Sequence, residues 1–106
     1  MLSDRGTLLK TKLDALYGRT GKPKIIGVIS GHTHRDFAIT TSAGYPIITT
    51  TCDTSGEIAT TYDPINVDRT HGTTNEQAFD VCHIDKTEEK IYMTRIGAGT
   101  DRSFNY

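Results

Sequence analysis

The sequence is short of cysteine, of net charge and of long apolar runs, and each shortage removes a class of function. Its two cysteines, Cys52 and Cys82, are too far apart for a Cys-x-x-Cys site. Both stand among apolar or β-branched neighbours, which favours buried free thiols over a disulfide. Twelve basic and thirteen acidic residues leave a formal charge of -1, with no run of like charge. No basic excess is present to neutralise a phosphate backbone, so nucleic acid binding has no electrostatic support. No apolar stretch approaches the roughly 18 residues of a membrane span, and the first residues lack the charged-then-apolar order of a signal peptide. The expectation is a cytoplasmic protein without a membrane partner.

What is present is organised around Lys24-Ile25-Ile26-Gly27-Val28-Ile29-Ser30-Gly31-His32-Thr33-His34-Arg35-Asp36. Apolar residues at successive positions from Ile25 to Ile29 predict a strand covered on both faces, as in a parallel or mixed sheet. Open α/β sheets place ligands at the carboxyl ends of such strands, where Gly-His-Thr-His lies here. Upstream, Leu9, Leu13, Leu16 and Tyr17 recur at helical spacing and predict a helix over 4–17, with Ser3 as its cap and Gly18 as its stop. A right-handed crossover would bring that helix from an earlier parallel strand, and three residues cannot supply one. The 106 residues therefore read as a single partial domain, the later part of a larger fold.

Downstream, Phe37 and Ile39 alternate with polar or small residues, Ser42-Ala43-Gly44 forms a turn, and Tyr45 to Cys52 is β-branched and apolar. This predicts a hairpin. A weak strand is expected over Glu57 to Tyr62, then a polar loop from Asp63 to Thr74, which is either partner-facing or a surface connection. Gln77 to Asp85 and Lys90 to Ile96 alternate as a second hairpin, joined by the solvated turn Lys86-Thr87-Glu88-Glu89. Gly97-Ala98-Gly99-Thr100-Asp101-Arg102 lacks the third glycine of a dinucleotide loop and reads as a turn. The expected fold is α/β of the α+β kind, a mixed and largely antiparallel sheet with one N-terminal helix.

His32 and His34 carry the chemistry worth testing. Neutral imidazole is the common nitrogen ligand for divalent transition metals, and Gly31 lets the backbone approach an ion. In a strict strand the two rings of His-x-His point to opposite faces, so either the segment curves or two neighbouring ions take one ring each. By itself the pattern suits metal ligands or surface and capping histidines.

The stretch Ile25-Ile26-Gly27-Val28-Ile29-Ser30-Gly31-His32-Thr33-His34-Arg35-Asp36 resembles the last signature of the bacterial calcineurin-like metallophosphoesterases, in which a buried strand ends in Gly-His-x-His. Asn75-Glu76-Gln77-Ala78-Phe79-Asp80-Val81, Ile84-Asp85, and Arg95-Ile96-Gly97-Ala98-Gly99 with Arg102 are similar to the C-terminal strands of that family. The resemblance implies half of an αββα sandwich. It also implies a two-metal centre of manganese, iron or zinc that hydrolyses phosphate mono- or diesters, with His32 on one metal and His34 on the other. The family's Asp-x-His, Gly-Asp-x-x-Asp, Gly-Asn-His and further lone histidine are absent from these residues. The resemblance is therefore to the C-terminal portion of such a hydrolase, a contributor of two ligands that is inactive alone and binds metal weakly or not at all.

Arg35 and Asp36 stand beside the two histidines, either orienting a ring or a phosphate or forming a surface ion pair. His71, in the long loop, either contacts substrate or is solvated. His83 shares a strand face with Phe79 and Val81, which predicts a hydrogen-bonded, partly buried ring. A different class of function is a small β-rich interaction module in which the histidines are incidental. The doubly apolar strand needs two covers and the helix supplies one. The expected partner is the N-terminal half of the domain or a second copy of the chain.

Overall fold

The computed structural model describes residues 4–17, 25–31, 35–51 and 69–106. Among them the chain is mixed α+β, with one helix and two small sheets. Helix α1 is Asp4–Tyr17, as its periodicity predicts. Strands β1 (Val28–Ser30), β2 (Phe37–Thr40) and β3 (Pro46–Thr49) form the first sheet in the order β1-β3-β2. β1 is parallel to β3 and β2 is antiparallel to it, so the sheet is mixed, and the expected β2–β3 hairpin is present. Its turn is closed by Gly44 N–H donating to Thr41 O at 3.0 Å and by Thr41 N–H donating to Tyr45 O at 3.0 Å.

Strands β4 (Ala78–Asp85), β5 (Lys90–Gly97) and β6 (Arg102–Asn105) form a second, antiparallel sheet in sequence order. The β4–β5 turn is built by Asp85, whose Oδ1 accepts from Thr87 N–H at 2.8 Å and Glu88 N–H at 2.9 Å. Those two backbone bonds, Glu88 first, hold the Asp85 carboxyl below its ordinary pKa. β6 goes beyond the turn expected there. Its signal is the alternation of Arg102, Phe104 and Tyr106 with Ser103 and Asn105, whose first set turns toward the first sheet.

Register fixes which faces meet. Ile29, Ile48 and Ala38 are cross-strand neighbours on one face of the first sheet, and Ile48 packs in a buried cluster with Ile91 and Met93 of β5. Ala38, Phe104 and Tyr106 border that cluster. Val28 and Ile47 occupy the opposite face, where with Gly6, Leu9, Lys10 and Leu13 of α1 they line a groove. Beyond the groove, the ring of Tyr17 lies 5.3 Å from that of Tyr45, and Tyr45 Oη donates to Asp14 Oδ1 at 2.8 Å.

Four details differ from expectation. Of the strand predicted from Lys24, which itself lies outside the described residues, the described part is a strand over Val28–Ser30 and is not covered on both faces, since Ile29 is 49% exposed. Among the described residues β1 is an edge strand. In α1, Leu9 and Leu16 are exposed while Leu13 and Tyr17 are half-buried. Cys82 is an exposed free thiol rather than a buried one. It pairs across β4–β5 with buried Met93, but β4 is an edge strand whose inward face is covered at Ala78 and Asp80 and open at Cys82 and Ile84. His83 is also exposed, its ring 6.3 Å from that of its cross-strand partner Tyr92. The face it shares with Phe79 and Val81 is turned away from the core. Ser3, Gly18, Cys52, the strand expected at Glu57 to Tyr62 and the first half of the long loop lie outside the described residues.

Two measurements test this packing. At Gly97 φ is +90°, and an added Cβ would stand 1.9 Å from Gln77 O. Gly97→Ala should cost about 2–3 kcal/mol in urea unfolding, through forced backbone movement at the start of the hairpin ladder. Burial, and then the Asp14 carboxylate, push the Tyr45 hydroxyl from 10.0 up to about 12. The raised value means that the folded state holds the proton more tightly. Stability from this contact is present below pH 10 and lost as pH rises toward 12. Tyr45→Phe should flatten that alkaline loss in a pH series of thermal melts.

Candidate functional site

The parallel pairing of β1 with β3 brings the carboxyl ends of both strands to one place. The chain leaves β1 at Gly31 and re-enters the described structure at Arg35, so His32 and His34 lie outside the described residues. The ends of that segment are held on consecutive residues. Thr50 N–H donates to Ser30 O at 3.0 Å, and Thr51 N–H donates to Asp36 Oδ1 at 3.1 Å. Thr49 Oγ1 donates to Arg35 O at 3.2 Å. Gly31 is exposed, and an added Cβ there would meet nothing within 4 Å, so no described neighbour demands glycine.

Behind this segment is a buried charge network. Arg95 Nη2 donates to both oxygens of Asp36 at 2.7 Å, and Arg95 Nε donates to Asp80 Oδ1 at 2.9 Å. Arg102 Nη2 reaches Asp80 Oδ2 at 2.6 Å and lies 3.2 Å from Asp36 Oδ1. The Arg95 and Asp80 side chains are 2% and 3% exposed. Burial of the Arg95 guanidinium pulls its pKa down, but the hydrogen bonds and charges of Asp80 and Asp36 more than reverse this. Asp36 immediately precedes β2 of the first sheet while Arg95 and Arg102 stand in the second, so the network also joins the two.

The Arg95-to-Arg102 stretch is built to house these charges. Arg95 Nη1 donates to Ala98 O at 2.7 Å, and Arg95 N–H donates to Asp101 Oδ1 at 2.8 Å. At Gly99, where φ is +108°, a Cβ would stand 2.3 Å from Arg95 Nη1. The glycine keeps the space that the guanidinium fills. Arg102 Nη1 donates to Thr49 O at 3.2 Å, tying β6 to the end of β3.

Of the residues singled out in the sequence, Asp36 is in this network and is no surface ion pair, while the Arg35 side chain is exposed. His71 is well exposed, with Nδ1 2.9 Å from Glu76 Oε1, and Glu76 Oε2 accepts from Gly72 N–H at 2.7 Å. Sequence reasoning missed Asp80 and the partnership of Arg95 and Arg102 with it. It also missed Arg69, whose Nη2 donates to Thr51 Oγ1 at 3.1 Å and whose Nη1 donates to Glu76 O at 3.2 Å. A charged residue on the inward face of an alternating strand, as Asp80 and Arg95 are, was the available signal.

Both Asp36 oxygens face cations, so this carboxylate is not free to ligate a metal ion. Among the described residues no group of three or more histidine, cysteine, aspartate or glutamate side chains is placed to hold one. The imidazoles of His32 and His34 are the nitrogen donors this stretch offers. Comparisons with protein-family models, curated proteins and solved structures found no match to this chain.

The network's importance can be measured. Arg95→Met leaves Asp80 with Arg102 alone and Asp36 with a weaker partner, and should cost about 3 kcal/mol in urea unfolding. The double variant Arg95→Met with Asp80→Leu restores charge balance around Asp36 and Arg102, and should recover a large part of that loss.

Proposed function

We propose that this chain is the C-terminal part of a calcineurin-like metal-dependent phosphoesterase domain, in which His32 and His34 each bind one ion of a two-metal centre. The observation that carries the reading is positional. A Gly-His-Thr-His segment leaves the carboxyl end of a strand that runs parallel to its neighbour, with both ends of the segment fixed on Thr50 and Thr51. In such a centre manganese, iron or zinc would activate a bridging water for attack on a phosphate mono- or diester. This chain supplies two ligands and about half of an αββα sandwich. The bridging carboxylate and the remaining ligands would come from elsewhere in the domain. Ile29, Phe37 and Ile39, exposed on the two faces of the first sheet, supply apolar surface for that half, or for a second copy of the chain.

A second reading is an interaction module without catalysis. It is favoured by the outward face of the second sheet, where Phe79 and Ile96 pair across strands and both are exposed beside Val81. The two readings separate on one experiment. The isolated chain should not turn over bis(p-nitrophenyl) phosphate with manganese. A chain extended by the in-frame coding sequence upstream of Met1 should do so, and His32→Ala should abolish that turnover. Robust metal-dependent turnover by the 106 residues alone, or an upstream reading frame without acidic and histidine signatures, overturns the enzyme reading.

A further inference from the structure

We propose that β4 is a docking edge for a second copy of this chain, the two strands pairing antiparallel about Val81 so that two three-stranded sheets become one. The inference concerns the second sheet and does not rest on the phosphoesterase reading. β4 ends the order β4-β5-β6, and its eight residues make it the longest edge strand described, against three in β1 and four in β2 and β6. It carries no proline, lysine or bulge to blunt that edge, and its register with β5 is unbroken from the Ala78–Gly97 pair to the Asp85–Lys90 pair. Its inward charge, Asp80, is already answered by Arg95 and Arg102. Ladder parity tells which backbone groups are open. Ala98 N–H donates to Gln77 O at 2.9 Å, one step beyond the Ala78–Gly97 pair, so the odd residues of β4 bond to β5. Tyr106 N–H donates to Glu89 O at 2.9 Å, which gives the matching phase on β5, whose odd residues bond to β6. The N–H and C=O groups of Ala78, Asp80, Cys82 and Ile84 therefore point off the edge, where among the described residues no backbone group answers them.

A twofold partner pairs these even residues with its own even residues and keeps each sheet face continuous, which leaves few registers. Pairing about Asp80 sets two aspartates opposite each other. Pairing about Cys82 sets Asp80 against the partner's Ile84 and Phe79 against the partner's Asp85. About Val81 the two valines meet, Phe79 meets the partner's His83, Ala78 the partner's Ile84, and Asp80 the partner's Cys82. No like charges are opposed. The inward face of β4 is covered at Ala78 and Asp80 and open at Cys82 and Ile84, so this register lays the open half of each strand beside the covered half of the other. It closes about eight backbone hydrogen bonds and runs the exposed outer row of Phe79 and Val81 on into the partner's.

Two measurements on the full 106-residue chain test the edge and its register. Sedimentation under reducing conditions, up to high micromolar concentration, should show a monomer–dimer equilibrium. Val81→Lys opposes two lysines at the centre of the contact and replaces a side chain that is already 51% exposed. It should raise the dimer Kd at least about tenfold with amide dispersion unchanged. Register is read by thiol linking with diamide, which takes two electrons and two protons from two thiols and leaves one disulfide. With Cys52→Ser and Cys82→Ser in place, a thiol introduced by Val81→Cys stands opposite its copy, about 4.5 Å away between Cα atoms, and should link readily. With Cys52→Ser alone, the thiol of Cys82 lies diagonal to its copy, about 7–8 Å away, and should link at least about tenfold more slowly. This comparison decides the matter should Val81→Lys not fold. A chain that stays monomeric throughout, a dimer that folded Val81→Lys leaves intact, or linking at position 82 as fast as at position 81 overturns the proposal.

Discussion

The pairing of Arg95 with Asp36 and Asp80 is the constraint on which the rest of this structure depends. It unites residues from both sheets, with guanidinium and carboxylates at 2.7 to 2.9 Å and Arg95 almost wholly shielded from water. A charge in that setting tolerates no loss of partner, because an unpaired buried ion costs several kcal/mol. The local sequence follows from this demand. Gly99 is small because the guanidinium passes where its side chain would be, Ala98 turns its carbonyl inward, and Asp101 caps the Arg95 amide. Arg102, at the start of β6, completes the balance with two cations against two anions.

The apolar part of the junction is small. Ile48, Ile91 and Met93 form the buried cluster, with Ala38, Phe104 and Tyr106 at its rim. A core of this size cannot cover three-stranded sheets on both faces, which is why Ile29, Phe37, Ile39, Phe79, Val81, Ile84 and Ile96 remain exposed. Specific polar contacts hold what the apolar surface does not. Arg102 ties β6 to Thr49, Arg69 ties the end of the long loop to Thr51, and Tyr45 with Asp14 holds the helix. All but the last converge on residues 49–51, the same three residues that anchor the segment bearing His32 and His34.

The sequence by itself determined the elements whose signals are local. The helix over 4–17, the hairpin around Ser42-Ala43-Gly44 and the hairpin around Lys86-Thr87-Glu88-Glu89 follow from spacing and turn chemistry, which depend on near neighbours. A parallel or mixed sheet is the expectation for the run that ends at Ser30, and β1 does pair parallel with β3, but without the cover on both faces from which that expectation is drawn. Only the tertiary structure decided exposure. Cys82 and His83 sit in strands with the right alternation, but alternation cannot say which face, or how much of it, another layer covers. Nor can spacing foresee that Asp36 would meet Arg95, 59 residues away. That meeting depends on how one sheet is laid upon the other, and a carboxylate beside a possible ligand looks the same in sequence whether it faces water or a buried guanidinium.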